Sequence, residues 1–200
     1  MGNIVEKKAL KGFCGLRLWP VLQNTAAGYI VETPLAMPEG QSLTKEVNKE
    51  DYTVYADDRI YDSGADYNYE DLTVGIAELP LDLEARLQGS EYDEETKVYT
   101  FSSMDVAPEY ALGYAARQLS GNYRMFVHFS VKLMSVKVDH NTKGSSNDIQ
   151  PYTLTFRNMQ RVKDGAVRIQ KDSTDKTYAW LATALDEYKE GAQTNTQQEA

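Results

Sequence analysis

Residues 123–134 read YRMFVHFSVKLM. Tyr123, Met125, Val127, Phe129, Val131 and Leu133 fall on one side of an extended chain, against Arg124, His128, Ser130 and Lys132 on the other. That two-residue period predicts a half-buried strand, and it recurs along the chain. In DLTVGIAEL (71–79) Leu72, Val74 and Ile76 oppose Thr73, Gly75 and Ala77, and in YTLTFRNMQ (152–160) Tyr152, Leu154 and Phe156 point inward. AVRIQ (166–170) is expected to close a hairpin with that strand across Lys163-Asp164-Gly165. GFCGLRLWPVL (12–22) and GYIVETPLAM (28–37) are further strands, each broken by a proline that favours an edge or a bend.

KVYTF (97–101) is a short strand. EYALGYAARQL (109–119) fits either a strand, through alternating Tyr110, Leu112, Tyr114 and Ala116, or a helix face through Tyr110, Tyr114 and Arg117. The strand is favoured, because LSGNYRM (119–125) then supplies a hairpin turn. PLDLEARLQG (80–89) predicts one short helix, with Pro80 at its start, Leu83 and Leu87 on one face and Gly89 as the stop. STDKTYAWLATALDEYKEG (173–191) predicts a second, with Tyr178, Leu181, Leu185 and Tyr188 in one stripe that packs on the sheet and Gly191 as its end. The polar tail AQTNTQQEA (192–200) follows. Two hundred residues, 42% of them hydrophobic, suffice for one core. The expected division is a β body over 1–176 with a C-terminal helix and tail over 177–200.

A formal charge of −9 argues against a nucleic-acid grip. Cys14 stands alone and forms no internal disulfide. No apolar run reaches membrane-spanning length, and Glu6 breaks the myristoylation pattern that Met1-Gly2 begins. The expectation is a soluble chain, intracellular when made, with no membrane partner.

Charge is unevenly placed. Glu39 to Asp71 holds ten acids and three bases, whereas Gly121 to Asp172 holds four acids and nine bases. Two solvated surfaces are one reading, and head-to-tail attraction between copies is the other. The acids concentrate in VYADDRIYDSGADYNYEDLTVGIAELP (54–80), where Asp57, Asp58, Asp62, Asp66, Glu70 and Asp71 are candidates for a subunit interface or a lumen.

Residue patterns that carry chemistry are few. One Cys and two His give no zinc spacing, and the acids lack the EF-hand pattern. His128, with no acid near it in sequence, is expected at a solvated strand position, and Cys14 as a small buried hydrophobe. There is no nucleophile elbow and no phosphate loop. The expectation is no enzyme, no metal and no cofactor.

KGFCGLRLWPV, TPLAMPEGQSLTKEV, YTVYADDRIYDSG, YEDLTVGIAELPLDLEARLQG, APEYALGYAARQLSGNYRMFVHFSVKLM and IQPYTLTFRNMQRVKDGAVRI follow one another in that order. Together they resemble, over roughly residues 10–171, the major tail tube proteins of long-tailed siphophages and related prophages. Tyr55-Ala56-Asp57, the strand-Pro-helix-Gly unit ending at Gly89, and Pro108 to Gly113 are the most specific pieces. The departures are the extension from Thr177 to Ala200 and Asp58, where the pattern suggests Asn. The resemblance implies a mainly β fold, a β-sandwich or partial barrel with a flanking helix. It implies hexameric rings stacked into a hollow conduit for DNA ejection in a virion tail, assembled in the host cytoplasm. The implied partners are other copies of the chain, a tape measure protein, and tail terminator and distal tail proteins, while DNA passes without specific binding. A tube of a contractile tail or secretion machine shares the architecture, and a tyrosine-rich β-sandwich that binds carbohydrate or a host surface is the reading from a different class.

Overall fold

The computed structural model describes residues 8–35, 37–140 and 151–189. The myristoylation-like start, the Gly191 stop and the tail 192–200 lie outside the described residues. The chain is mainly β. In order come β1 (Leu10–Thr25), β2 (Gly28–Val31), β3 (Gly40–Ala56), β4 (Arg59–Ile76), α1 (Leu81–Gln88), β5 (Glu91–Asp93), β6 (Val98–Thr100), β7 (Glu109–Gln118), β8 (Tyr123–Val138), β9 (Tyr152–Met159), β10 (Arg168–Asp172) and α2 (Trp180–Thr183), then a 3-10 turn at Asp186–Tyr188.

One antiparallel sheet runs β2-β1-β7-β8-β9-β4-β3, with β10 added to β8, and β5 and β6 form a separate small hairpin. The sheet curls into a partial barrel. The Phe13 ring of β1 fills the space over Gly40 of β3, where an added Cβ would stand 2.0 Å from its Cε1, so the two flanks of the sheet meet. Gly12 and Gly15, both with positive φ, sit at register shifts in β1 that supply the curvature. Pro20 lies where β1 passes from β7 to β2, a position that calls for no ladder N–H. Gly89 takes the left-handed φ of 72° that ends α1, whose Leu83 and Leu87 are buried.

The expected single-sided strand at 123–134 is a two-sided one. Between Tyr110 and Leu112 of β7 the partner in β8 steps from Val131 to His128, so β8 carries one extra residue. That bulge exchanges the faces. Phe126, Val131 and Leu133 enter the barrel cluster with Leu18, Leu72, Val74, Leu112, Leu154 and Phe156, while Met125, Val127 and Phe129 join a second cluster outside it. The expected β9–β10 hairpin is also replaced. Both strands pair with β8 in succession, β9 against Ser130–Val138 and β10 against Arg124–His128, so β10 continues the line of β9 after the excursion 160–167.

The C-terminal segment covers the outer cluster. Leu181 and Leu185 are fully buried against Trp19, Tyr29, Met125 and Val127, and Tyr188 meets Tyr29 edge-on at 5.5 Å. Tyr178 remains 37% exposed, its ring against Gly15 and Tyr123. The long helix expected here is a single turn followed by the 3-10 turn. Leu185, at φ −116°, interrupts it, no side chain caps either piece, and so short a helix depends on packing rather than on its own hydrogen bonds. Arg161 fastens the segment's far end: its guanidinium lies 4.0 Å from the Phe129 ring centroid and 5.1 Å from that of Tyr188, and it donates to Asp164.

Gly113 is the tightest point under this cover. A Cβ there would lie 2.7 Å from Trp19 and 3.0 Å from Leu181. Gly113→Ala should therefore destabilise the chain by about 1–3 kcal/mol, read as a lowered midpoint in urea denaturation followed by tryptophan fluorescence.

Candidate assembly interface

The acidic segment forms most of a long hairpin. β3 and β4 pair from Gly40↔Ile76 to Ala56↔Arg59, and β9 supports β4 only over Glu70–Ile76. Beyond that support the ribbon projects as an arm of about 35 Å, at roughly 3.3 Å per residue. Residues 46–63 are exposed on both faces. Asp57 and Asp58 make the tip, with φ of 51° and 56°, a two-residue turn of the kind that matches strand twist.

The arm is an unusual surface for a lone chain. Val54, Tyr55, Ile60 and Tyr61 are 46%, 70%, 61% and 73% exposed near its tip. From Glu46 to Asp66 seven acids face two bases. Glu50 stands directly opposite Asp66, a like-charge cross-strand pair that weakens the ribbon. Two strands without a layer beneath them are marginal in water.

The six candidate acids separate into two groups. Asp57, Asp58, Asp62 and Asp66 are exposed on the arm, and among the described residues none has a salt-bridge partner. Asp71 is half-buried in a bidentate pair with Arg157, at 3.0 and 3.3 Å. Glu70 is fully buried and joined to Arg168. The acidic and basic halves of the sequence thus meet partly within one chain, since Arg157 and Arg168 belong to the basic stretch. Arg124 and Arg161 are likewise taken up, by Asp172 and Asp164, and these pairings hold both carboxyls down at about 2.

Glu70 lies at the root of the arm, where β9 ends and β10 begins. Asn158 places its amide 3.0 Å from both Glu70 Oε2 and His128 Nδ1, donating one hydrogen to each. Tyr67 donates to the Asn158 carbonyl at 3.0 Å. His128 is not the solvated strand residue expected from sequence. It is fully buried, stacked on Tyr114 with centroids 6.0 Å apart, and its acid neighbour comes from β4, 58 positions away in the chain (128 − 70 = 58). Burial first, and Lys45 second, lower its pKa to about 3, so the imidazole is neutral. Arg168, Asn158 and Arg157 were not singled out by sequence reasoning. Their partners sit on strands distant in sequence, and only the register joins them.

Among the described residues, no group of three or more His, Cys, Asp or Glu is placed to hold a metal ion. Cys14 is half-buried and burial raises its pKa, which leaves the thiol less nucleophilic. No described helix is long and apolar enough to cross a membrane.

No protein-family model matches the chain, and no curated protein matches it. Among solved structures, the chain is similar to one described as the cryo-EM structure of the anti-feeding prophage cap, a tube-terminating cap. The identity is 7% over 86% of this chain and 100% of that one, with a TM-score of 0.42.

Two outcomes follow from the root and the tip. Glu70→Ala should cost about 3–5 kcal/mol by leaving Arg168 unpaired, whereas Asp58→Gly should be neutral or stabilising by up to about 1 kcal/mol because it relieves a positive φ; urea titrations of both variants check this. His128 has a folded pKa below its unfolded 6.5, so the unfolded chain binds the extra proton and stability falls as pH drops below about 6.5. The loss should reach about 2–3 kcal/mol by pH 4.5. His128→Gln, although less stable at pH 7, should lose much less over the same interval.

Proposed function

We propose that this chain is a structural subunit that self-assembles into the tube of a phage-type tail, with the acidic arm reaching from each copy onto a neighbour. The observation that carries the reading is the arm itself. It is long, exposed on both faces, apolar at the tip and weakened by like charges, a combination that gains most by burial on a second copy. The ordered resemblance to major tail tube proteins adds the finer picture: hexameric rings stacked around a tape measure protein, ended by terminator and distal tail proteins, and opened for DNA ejection. In that picture the exposed acids Asp57, Asp58, Asp62 and Asp66 lie at a subunit contact or face the lumen, where like charge keeps DNA from adhering.

Exposed Tyr55 and Tyr61 also suit stacking on a sugar, so the alternative of a carbohydrate-binding sandwich is tested alongside. Electron microscopy and sedimentation of the purified chain at rising concentration should give rings or tubes. A variant with residues 50–65 replaced by Asn-Gly should stay monomeric with an unchanged β-type circular dichroism spectrum. A wild-type chain that remains monomeric at the highest concentration reached, and binds glycans, would overturn the tube reading.

A further inference from the structure

The seam where β1 meets β3 opens into a pocket of about 320 Å³, large enough for one or two side chains but not for a strand. Its wall is aromatic and aliphatic, from Phe13, Leu43, Tyr114 and Phe126, and Lys11 and Lys45 stand among these residues. Phe13 meets Tyr114 edge-on at 5.7 Å, and Tyr114 stacks on Phe126 at 4.7 Å, so the wall is braced before anything arrives. Neither lysine has a salt-bridge partner among the described residues. Burial, and then Arg168, lower the pKa of Lys45, which marks a cation lacking a counter-charge.

The arm tip has the opposite character in each respect. Tyr55, Ile60 and Tyr61 project apolar surface, and Asp57 and Asp58 bring two unpaired carboxylates between them. We infer that the tip of the arm docks in the seam pocket of a second copy, an apolar side chain entering the aromatic wall while Asp57 and Asp58 meet Lys11 and Lys45. The chain's own tip cannot serve, because the arm leaves from β3 just beyond Lys45 and stays paired, through register shifts at Asn48/Lys49 and Val54/Tyr55, to a tip about 35 Å away from it. Tip and root are different patches, so the contact is head-to-tail and propagates unless two copies exchange arms reciprocally. The net charge of −9 disfavours a nucleic-acid occupant.

This inference rests on the self-assembly reading and is tested separately from it. In a full-length Cys14→Ser background, a Tyr55→Cys chain is mixed with a Leu10→Cys chain and oxidised, and the same mixture is sedimented. A mixed disulfide dimer is expected, since Leu10 lines the rim of the pocket. Assembly without the mixed disulfide would leave the tube reading standing and remove the docking site. The mixed disulfide with nothing larger than a dimer would keep the site and remove the tube. Charge reversal gives a second readout: Lys11→Glu with Lys45→Glu, or Asp57→Lys with Asp58→Lys, should each raise the concentration needed for assembly at least tenfold, and an equimolar mixture of the two should recover most of it. Variants that keep a wild-type circular dichroism spectrum and assemble like wild type would overturn the proposed pairing.

Discussion

The ion pair between Glu70 and Arg168 sits where the sheet divides, and the shape of the chain depends on it. At this point β9 stops, β10 takes over its place beside β8, and β4 leaves the sheet as part of the arm. Three backbones that separate would leave polar groups and empty volume inside the barrel. Glu70, Asn158, His128 and Arg168 fill that gap, the Asn158 amide bridging Glu70 and His128 while Glu70 pairs with Arg168. An apolar plug would bury as well, but it would not tie Asn158 to Glu70 and His128, and Glu70 to Arg168, in one register. The polar set therefore fixes where the supported part of the hairpin ends and the arm begins.

Above this fork β8 is buried on both sides, which determines what the rest of the chain must supply. The barrel closes one side through Phe13 and Gly40. The other side, lined by Met125, Val127 and Phe129, would face water without Leu181 and Leu185. The last described stretch is thus a lid on the sheet, pressed against Gly113 and held by Arg161 among Phe129, Tyr29 and Tyr188. Its helical content is incidental to that role, which is why one turn suffices.

Much of this was legible in the sequence, and the failures have specific causes. Alternation placed Leu72, Val74, Ile76, Leu154 and Phe156 inward correctly, and Pro80 and Gly89 bounded α1. Alternation failed at 128–131, because a bulge shifts the period without changing composition. The length of the β3–β4 hairpin was hidden for a related reason. An arm exposed on both faces has no apolar side to alternate with, and its turn is Asp-Asp where Asn-Gly would have announced it. The root cluster was invisible because Glu70, His128, Asn158 and Arg168 come from four strands. A buried histidine on β8 resembles a solvated one until the strand opposite is known.

The charge asymmetry read from the sequence resolves into two parts with different physics. Near the root, Glu70 and Asp71 meet Arg168 and Arg157 of the same chain, and those charges serve folding. Along the arm the acids have no such partners among the described residues, and in the proposed assembly their charge would act between chains. An exposed two-stranded ribbon carrying Val54, Tyr55, Ile60 and Tyr61 offers free edges that would pair with any similar ribbon. Like charges at Glu50, Asp62 and Asp66 make arm-on-arm pairing unfavourable while leaving contact with a cationic surface favourable. The same residues that weaken the arm in isolation thereby select what it can pair with. In the proposed assembly, an acidic arm that repels its own kind would discriminate between uncontrolled strand addition and docking at a single site.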